Sequence, residues 1–507
     1  MLYDLSQVLA PSYQFYALGA AIALFAGASA YALIAPRRRP KFHAPRLYDE
    51  TGPIDFTALD KTIKEGFRNY KGKYFTVKEA HGETLVLPTQ FMEELKALPD
   101  NMLNQVDDVD ERFLSKYSLL TTTSVGGRVS VVTHSINNEL TKSLGNLMGD
   151  IQEEVVHCVQ ELFPPCDVWT ELDIQSKLVQ VVALVSGRIF VGLPLSRNQE
   201  YLDCIIGFTL NVFLAVPEIR AYPPLLRWTS RYLNPKVRAV HKSLATMKRL
   251  MAPMITDTKQ QLEEGTRPHH MCAWNIKNSN QKERDSLDIQ AQMQLAASMA
   301  AIHTTSMTVT NAVFDLAARP EYLQPLRDEL QDIRATESSS YLSKTSIPKL
   351  RKLDSFLKES HRLSPLLLLN ARRKVLQPIT LHDGTVLQPG THIAFPLHQI
   401  SNDEDLWENP SQFDGFRFQK LRDLPGNESK YQFTTTGATN LAFGYGVHAC
   451  PGRFFAANEI KMILIHLIEN FDFKFKGDIG RPGSLWTPGG FYPDPSVRVL
   501  LKRRLKA

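Results

Sequence analysis

The sequence predicts one large, mainly α-helical domain with small peripheral β-sheets, an α+β arrangement, preceded by one N-terminal transmembrane helix. Three observations carry this. Residues from about 135 to 335 follow mostly helical patterns interrupted by Pro and Gly. Two alternating stretches, Lys73–Pro88 and Arg372–Pro396, fold back at turn signals and read as hairpins. Beyond Pro45 there is no low-complexity linker, internal repeat or break in composition. The 507 residues, 43% of them hydrophobic, suffice for a large core. A formal charge of +5 is too slight to argue for nucleic acid. Five scattered cysteines without a CxxC pair argue against both a disulfide framework and a zinc site.

The first element is the membrane span. Leu5–Pro36 lacks any charged residue, and Phe15–Ala35 is dominated by Ala, Leu, Ile and Phe. About twenty such residues cross a bilayer core. Arg37–Lys41 (RRRPK) follows, where the positive-inside rule keeps the remaining chain cytosolic. A removable targeting peptide or a buried helix is the alternative, but a cleaved signal carries its positive charge in front. The expected organisation is an anchor at 1–36, with the span at about 15–35, a basic Pro-rich hinge at 37–45, and the domain at 46–507.

The hairpins turn at His81-Gly82 and Asp383-Gly384. Between them, Leu287–Ala318 contains neither Gly nor Pro, room for a helix of roughly 45–50 Å. No Asp, Glu, Lys or Arg occurs from Ile289 to Phe314, yet Gln290, Gln294, Ser298, Thr308 and Asn311 make it too polar for lipid. It reads as a helix buried through the domain. At its centre lies AAIHTT, Ala300–Thr305. Two small residues leave room beside the helix, and paired threonines can bond back to carbonyls.

Glu359 and Arg362 stand at i, i+3 on one helical face, a spacing that alone says little. Arg417 sits among phenylalanines in SQFDGFRF, an odd place for a charge without a buried partner. Glu359 is the nearest candidate in kind. Last comes LAFGYGVHACPGRFFAANEIKMIL, Leu441–Leu464. Its glycines permit unusual backbone, and Pro451 suits a first helical residue. Phe454, Phe455, Ala456 and Ile460 suggest a mostly buried helix behind it. Cys450 is thereby expected at a helix N-terminus, where amides and the dipole favour a thiolate.

In this order and spacing, the pieces resemble the cytochrome P-450 family of haem-thiolate monooxygenases over nearly the whole chain. Phe443, Gly446, Cys450 and Gly452 match F-x-x-G-x-R-x-C-x-G. Glu359 and Arg362 match E-x-x-R, Arg417 matches the arginine coupled to that pair, and Ala300–Thr305 corresponds to A/G-G-x-D/E-T-T. The resemblance implies the family's fold around a long central helix. It implies haem b, with Cys450 as axial iron ligand and Phe443 and Gly446 shaping the cofactor loop. Thr304 and His303 become the catalytic candidates for proton delivery, and Glu359, Arg362 and Arg417 a structural network. Electrons would come from NADPH through a separate NADPH–cytochrome P-450 reductase, with cytochrome b5 as a further potential donor, because no dinucleotide or flavin fingerprint occurs here.

The chain also departs from the pattern. His448 stands where an arginine usually meets a haem propionate, and His303 replaces the acid before Thr304. Arg372 or Arg373 is expected to supply a second propionate contact, with Arg373 carried as the candidate. Gly415-Phe416-Arg417 replaces the usual P-E-R, and no W-x-x-x-R occurs near His134. These departures are similar to those of filamentous-fungal members acting on terpenoids and related secondary metabolites. The expected substrate is an apolar small molecule, and the expected location the endoplasmic reticulum membrane. The competing readings are a haem-thiolate isomerase or dehydratase needing no external electrons, and a non-catalytic haem-binding protein.

Overall fold

The computed structural model describes residues 44–47, 59–120, 130–477, 479–487 and 490–504; the expected anchor at 1–36 and all but Ala44 and Pro45 of the hinge lie outside the described residues. The principal helices are α1 (Leu59–Asn69), the short α2 (Met92–Leu95), α3 (Gln105–Phe113), α4 (Thr141–Leu162), α5 (Ile174–Phe190), α6 (Gln199–Ala221), α7 (Pro235–Glu263), α8 (Leu287–Ala318), α9 (Leu323–Arg334), α10 (Arg351–Leu363) and α11 (Arg453–Asn470). The strands are β1 (Phe75–Glu79), β2 (Gly82–Val86), β3 (Leu103–Asn104), β4 (Thr170–Leu172), β5 (Asn370–Val375), β6 (Ile379–Thr380), β7 (Val386–Leu387), β8 (His392–Phe395), β9 (Phe471–Phe475), β10 (Ser484–Thr487), β11 (Gly490–Pro493) and β12 (Val499–Arg503).

α8 is the axle of the domain. It packs against α5, α6, α7, α10 and α11, so a charge on nearly any face would be buried without water. Its polar groups find partners instead. Gln290 donates to Ser279 and to the Glu283 carbonyl, Gln294 to the Tyr201 hydroxyl, and Thr310 to the Ser306 carbonyl. The Ser286 side chain caps its start. α6 is long and apolar enough to cross a membrane by composition, but here it packs on α7 and α8.

The largest sheet runs β1-β2-β8-β5-β3 and gathers both hairpin regions. β1 and β2 are antiparallel, with Glu79 opposite Gly82, and β2 runs parallel to β8. β5 pairs with β8, and the small β6–β7 hairpin between them turns at Asp383-Gly384, where Gly384 takes φ +83°. A β4-β12-β9 sheet and a β10–β11 hairpin complete the domain.

Two local expectations fail at the cysteine segment. The helix begins at Arg453 with Gly452 as its cap, so Pro451 precedes it rather than opening it. Phe454 is exposed under the Arg453 guanidinium, which stands 4.4 Å from its ring, and is not core.

Candidate active site

Near its middle, α8 opens. Ala300 and Thr304, one turn apart, are exposed, whereas Ala297, Ser298, Ile302 and Thr305 around them are buried. The Thr304 hydroxyl donates to the Ala300 carbonyl at 2.7 Å, leaving its oxygen free to accept. His303 beside it is turned away. Its Nε2 lies 3.1 Å from the Ile206 carbonyl of α6, and since a carbonyl only accepts, the proton is on Nε2. Burial lowers the pKa of this imidazole, which favours the neutral ring.

The loop leading to Cys450 is closed by its own backbone. Gly444 N donates to Leu441 O at 2.8 Å and Cys450 N to Phe443 O at 2.7 Å. Gly444 and Gly446 take φ of +70° and +74°. At Gly446 a Cβ would also collide with the Lys96 carbonyl just after α2, the same oxygen that accepts from Val447 N at 3.2 Å. Phe443 stacks edge-on against His361 and Phe433, with centroids 5.3 Å away in each case. Cys450 is exposed, yet the surrounding protein still raises its thiol pKa through burial. The Gly452 and Arg453 amides and the Arg453 guanidinium oppose that rise without cancelling it. The other four cysteines are buried. Burial pushes Cys204 and Cys272 up to about 12 and raises Cys158 and Cys166 as well.

Glu359 on α10 is 0% exposed and gathers the supporting charges. Arg362 grips it with two 2.8 Å bonds, Arg417 Nε approaches both oxygens at 3.1 and 3.2 Å, and Asp414 N donates at 3.0 Å. The arginines' remaining donors reach carbonyls of Ser401, Pro410, Glu408 and Gln412, so this one carboxylate fixes the segment ahead of the cysteine loop. Gly415 is needed there because a Cβ would sit 2.6 Å from the Tyr322 ring.

The two neighbouring arginines of β5 separate. Arg372 makes a paired bond to Glu79, at 2.8 and 2.5 Å. Arg373 is 6% exposed and bonds only the Arg372 carbonyl, with no carboxylate in ion-pair range among the described residues. Burial brings its pKa down to about 10. It lies near His448, whose Nε2 is 2.8 Å from Asp100 but off the hydrogen-bonding line. Burial and then Arg373 lower the pKa of His448. The structure thus brings Gly446, His448, Cys450 and Phe443 together on one loop, with Arg373 beside it, while Glu359, Arg362 and Arg417 form a cluster of their own.

Sequence reasoning missed Asp100, and it missed Arg481, which ties α8 to the segment after α10. Arg481 donates to Asp315 at 2.7 Å and to Asn311 and Ser364 at 2.8 Å each. Neither residue stands in a local pattern that could have disclosed it.

Residues 123–495 match the family model for Cytochrome P450. A cytochrome P450 monooxygenase of Penicillium rubens, prx8, is 84% identical over 507 residues, spanning 100% of this chain and 94% of its own. An ent-kaurene oxidase of Gibberella intermedia is 33% identical over 447 residues, covering 87% of this chain and 83% of its own. Among solved structures, the retinoic acid bound cyanobacterial CYP120A1 superposes with a TM-score of 0.64 at 17% identity, over 87% of this chain and 94% of that one. At that identity the likeness is one of fold alone.

Proposed function

The chain belongs to the cytochrome P450 family and is a monooxygenase, and we propose that it inserts oxygen from O2 into a C–H bond of an apolar small molecule, a terpenoid or related secondary metabolite. Electrons come from NADPH through a separate reductase. The observation carrying this reading is a single exposed cysteine on a glycine-shaped loop ahead of a helix, together with a threonine exposed mid-way along an otherwise buried helix.

The residues fit haem b. Cys450 offers a single thiolate to iron, and Phe443 screens it on the loop side. Gly446 lets the loop lie close to its seat. Arg373 is a buried cation without a carboxylate, suited with His448 to carry the propionates. Haem with a cysteine ligand supplies the chemistry that activates O2. The chain's own part is positioning and proton control. Thr304 holds a proton at Oγ1 beside the cleft, while Ala300 leaves room for substrate. Glu359, Arg362 and Arg417 hold the region behind the loop and stay out of the chemistry.

The relative named ent-kaurene oxidase supports a terpenoid substrate. The exposed apolar faces of α6 and of the segment after it agree with an apolar one. That segment exposes Leu225, Leu226, Trp228, Tyr232 and Leu233 beside Arg227 and Arg231, a composition suited to the cytosolic face of the endoplasmic reticulum membrane. Incubation with reductase, NADPH, isotopically labelled O2 and a terpenoid panel tests the proposal. Label in the product, dependent on reductase, is expected. Turnover without reductase, or oxygen drawn from water, would instead support an isomerase or dehydratase.

A further inference from the structure

Where the A/G-G-x-D/E-T-T pattern has an acid, this chain has His303, and the structure commits its side chain to the neighbouring helix. We infer that His303 is a positioning residue that fastens α6 beside the active-site opening and so sets the shape of the substrate space. The inference rests on the haem-thiolate reading above and extends it to this residue.

Besides its bonds to α7 through Cys204 and Glu218, α6 is tied to α8 at two heights and to α3 at a third. Near its start, the Tyr201 hydroxyl accepts from Gln294 of α8 at 3.0 Å. At its end, Arg220 donates to the carbonyls of Glu111 and Arg112 in α3, at 3.3 and 2.7 Å. Between these, His303 supplies a polar attachment to α8, at Ile206. The turn that follows Ile206 begins the open apolar face of the helix, with Leu210, Phe213 and Leu214 at 54%, 41% and 54% exposure. Among the described residues their aromatic brace is Phe113, whose ring centre lies 5.7 Å from that of Phe213. His303 is covalently next to Thr304, which faces the opening. A shift of α6 at Ile206 therefore moves three large apolar side chains relative to the reacting position.

The chemistry of residue 303 explains the exchange. An ionised Asp or Glu is an acceptor only, so it could not meet the Ile206 carbonyl; a neutral imidazole with Nε2–H can. Proton relay is disfavoured by the same geometry. Nε2 is engaged, burial favours the neutral form, and the Thr304 hydroxyl turns to Ala300 rather than to His303.

The test uses the haem-loaded protein and two iron-binding probes, imidazole and the bulky azole clotrimazole, followed by difference spectra. His303→Glu removes the donor at unchanged length, His303→Gln keeps an N–H, and His303→Leu keeps bulk alone. Loss of one hydrogen-bond donor predicts a clotrimazole Kd changed by about fivefold to tenfold in the Glu and Leu variants. Imidazole binding should stay within about twofold, and His303→Gln should return clotrimazole to within about threefold of wild type. Peroxide released per NADPH should follow the same pH profile in wild type and His303→Gln. Unchanged clotrimazole affinity in both the Glu and Leu variants overturns the inference. So does a Gln variant that loses a titration between about pH 5 and 8, which would mark His303 as a proton carrier. If His303→Leu yields no loaded protein, the Gln and Glu pair decides. A wild type without a thiolate-type spectrum of its ferrous carbon monoxide complex would instead sink the haem-thiolate reading itself.

Discussion

Glu359 shows how much can rest on one carboxylate. It is completely buried between two arginines, and Glu359→Gln would leave both guanidinium groups without their counter-charge. Breaking a buried pair costs about 3–5 kcal/mol, so the denaturation midpoint and the yield of haem-loaded protein should both fall sharply. A variant with an unchanged midpoint would show that the cluster is not structural. Cys450→Ser should abolish the thiolate-type carbon monoxide spectrum. Cys158→Ala, Cys204→Ala and Cys272→Ala should keep it, because those thiols lie buried in the apolar core. Residue types were legible in the sequence where chemistry demanded them at fixed spacing, as with Cys450 or the Glu359–Arg362 turn. Contact partners were not. Arg372 and Arg373 look alike in a string, and only the register shift between Asn370 and Arg373, with Ala371 at φ +51°, gives one to Glu79 and leaves the other buried near His448. The partner of His303 is a backbone carbonyl 97 residues away, to which no side-chain pattern points.

α3 is held to the large sheet by a histidine clamp. His392 of β8 places Nδ1 2.7 Å from Asp108 and Nε2 2.9 Å from Glu111, so both nitrogens face carboxylates. Burial alone would lower its pKa, but the bonds to Asp108 and Glu111 outweigh burial and raise it. His81 packs edge-on to the ring, with centroids 4.9 Å apart, and burial brings its own pKa down to about 3. Arg112, Arg372 and Lys374 surround the carboxylates. His81, Asp108 and His392 lie close enough together to resemble a metal ligand set, yet the carboxylates already occupy both His392 nitrogens. A raised folded-state pKa contributes stability that is full below about pH 6.5 and lost as pH rises through the folded value. The stability difference between wild type and His392→Gln, measured by denaturant titration, should therefore shrink from about pH 6 to about pH 9. A difference that grew with pH would refute the clamp. At this scale the sequence was more forthcoming. A stretch without Gly or Pro, and without charge from Ile289 to Phe314, became α8 with the expected ends, because burial along that stretch disfavours unpaired charge and helical continuity excludes Gly and Pro. The start of α11 was misplaced, since Gly452 caps as well as Pro451 could open.

For the molecule as a whole, the expected cytosolic orientation is tested at Asn427, in the sequon NES. Its Nδ2 donates to the Leu421 carbonyl at 3.1 Å, a bond that glycosylation would disrupt. No glycosidase-sensitive mass shift should appear at this residue in microsomes, and such a shift would reverse the topology. The expected N-terminal span would set that orientation, and it lies outside the described residues. The domain itself joins distant parts of the chain, nowhere more than under the cysteine loop. The Gly446 turn rests on the Lys96 carbonyl, and Lys96 Nζ reaches the Tyr445 hydroxyl across 349 positions. During synthesis the early half of this seat emerges from the ribosome long before the other half has been translated. Contacts so remote in sequence form late. A truncated chain ending before Tyr445 keeps α8 and most of the core, but has neither the loop nor the cysteine. Acquisition of the cofactor would thus mark that translation has passed Cys450, and chains that stop short of it would remain colourless.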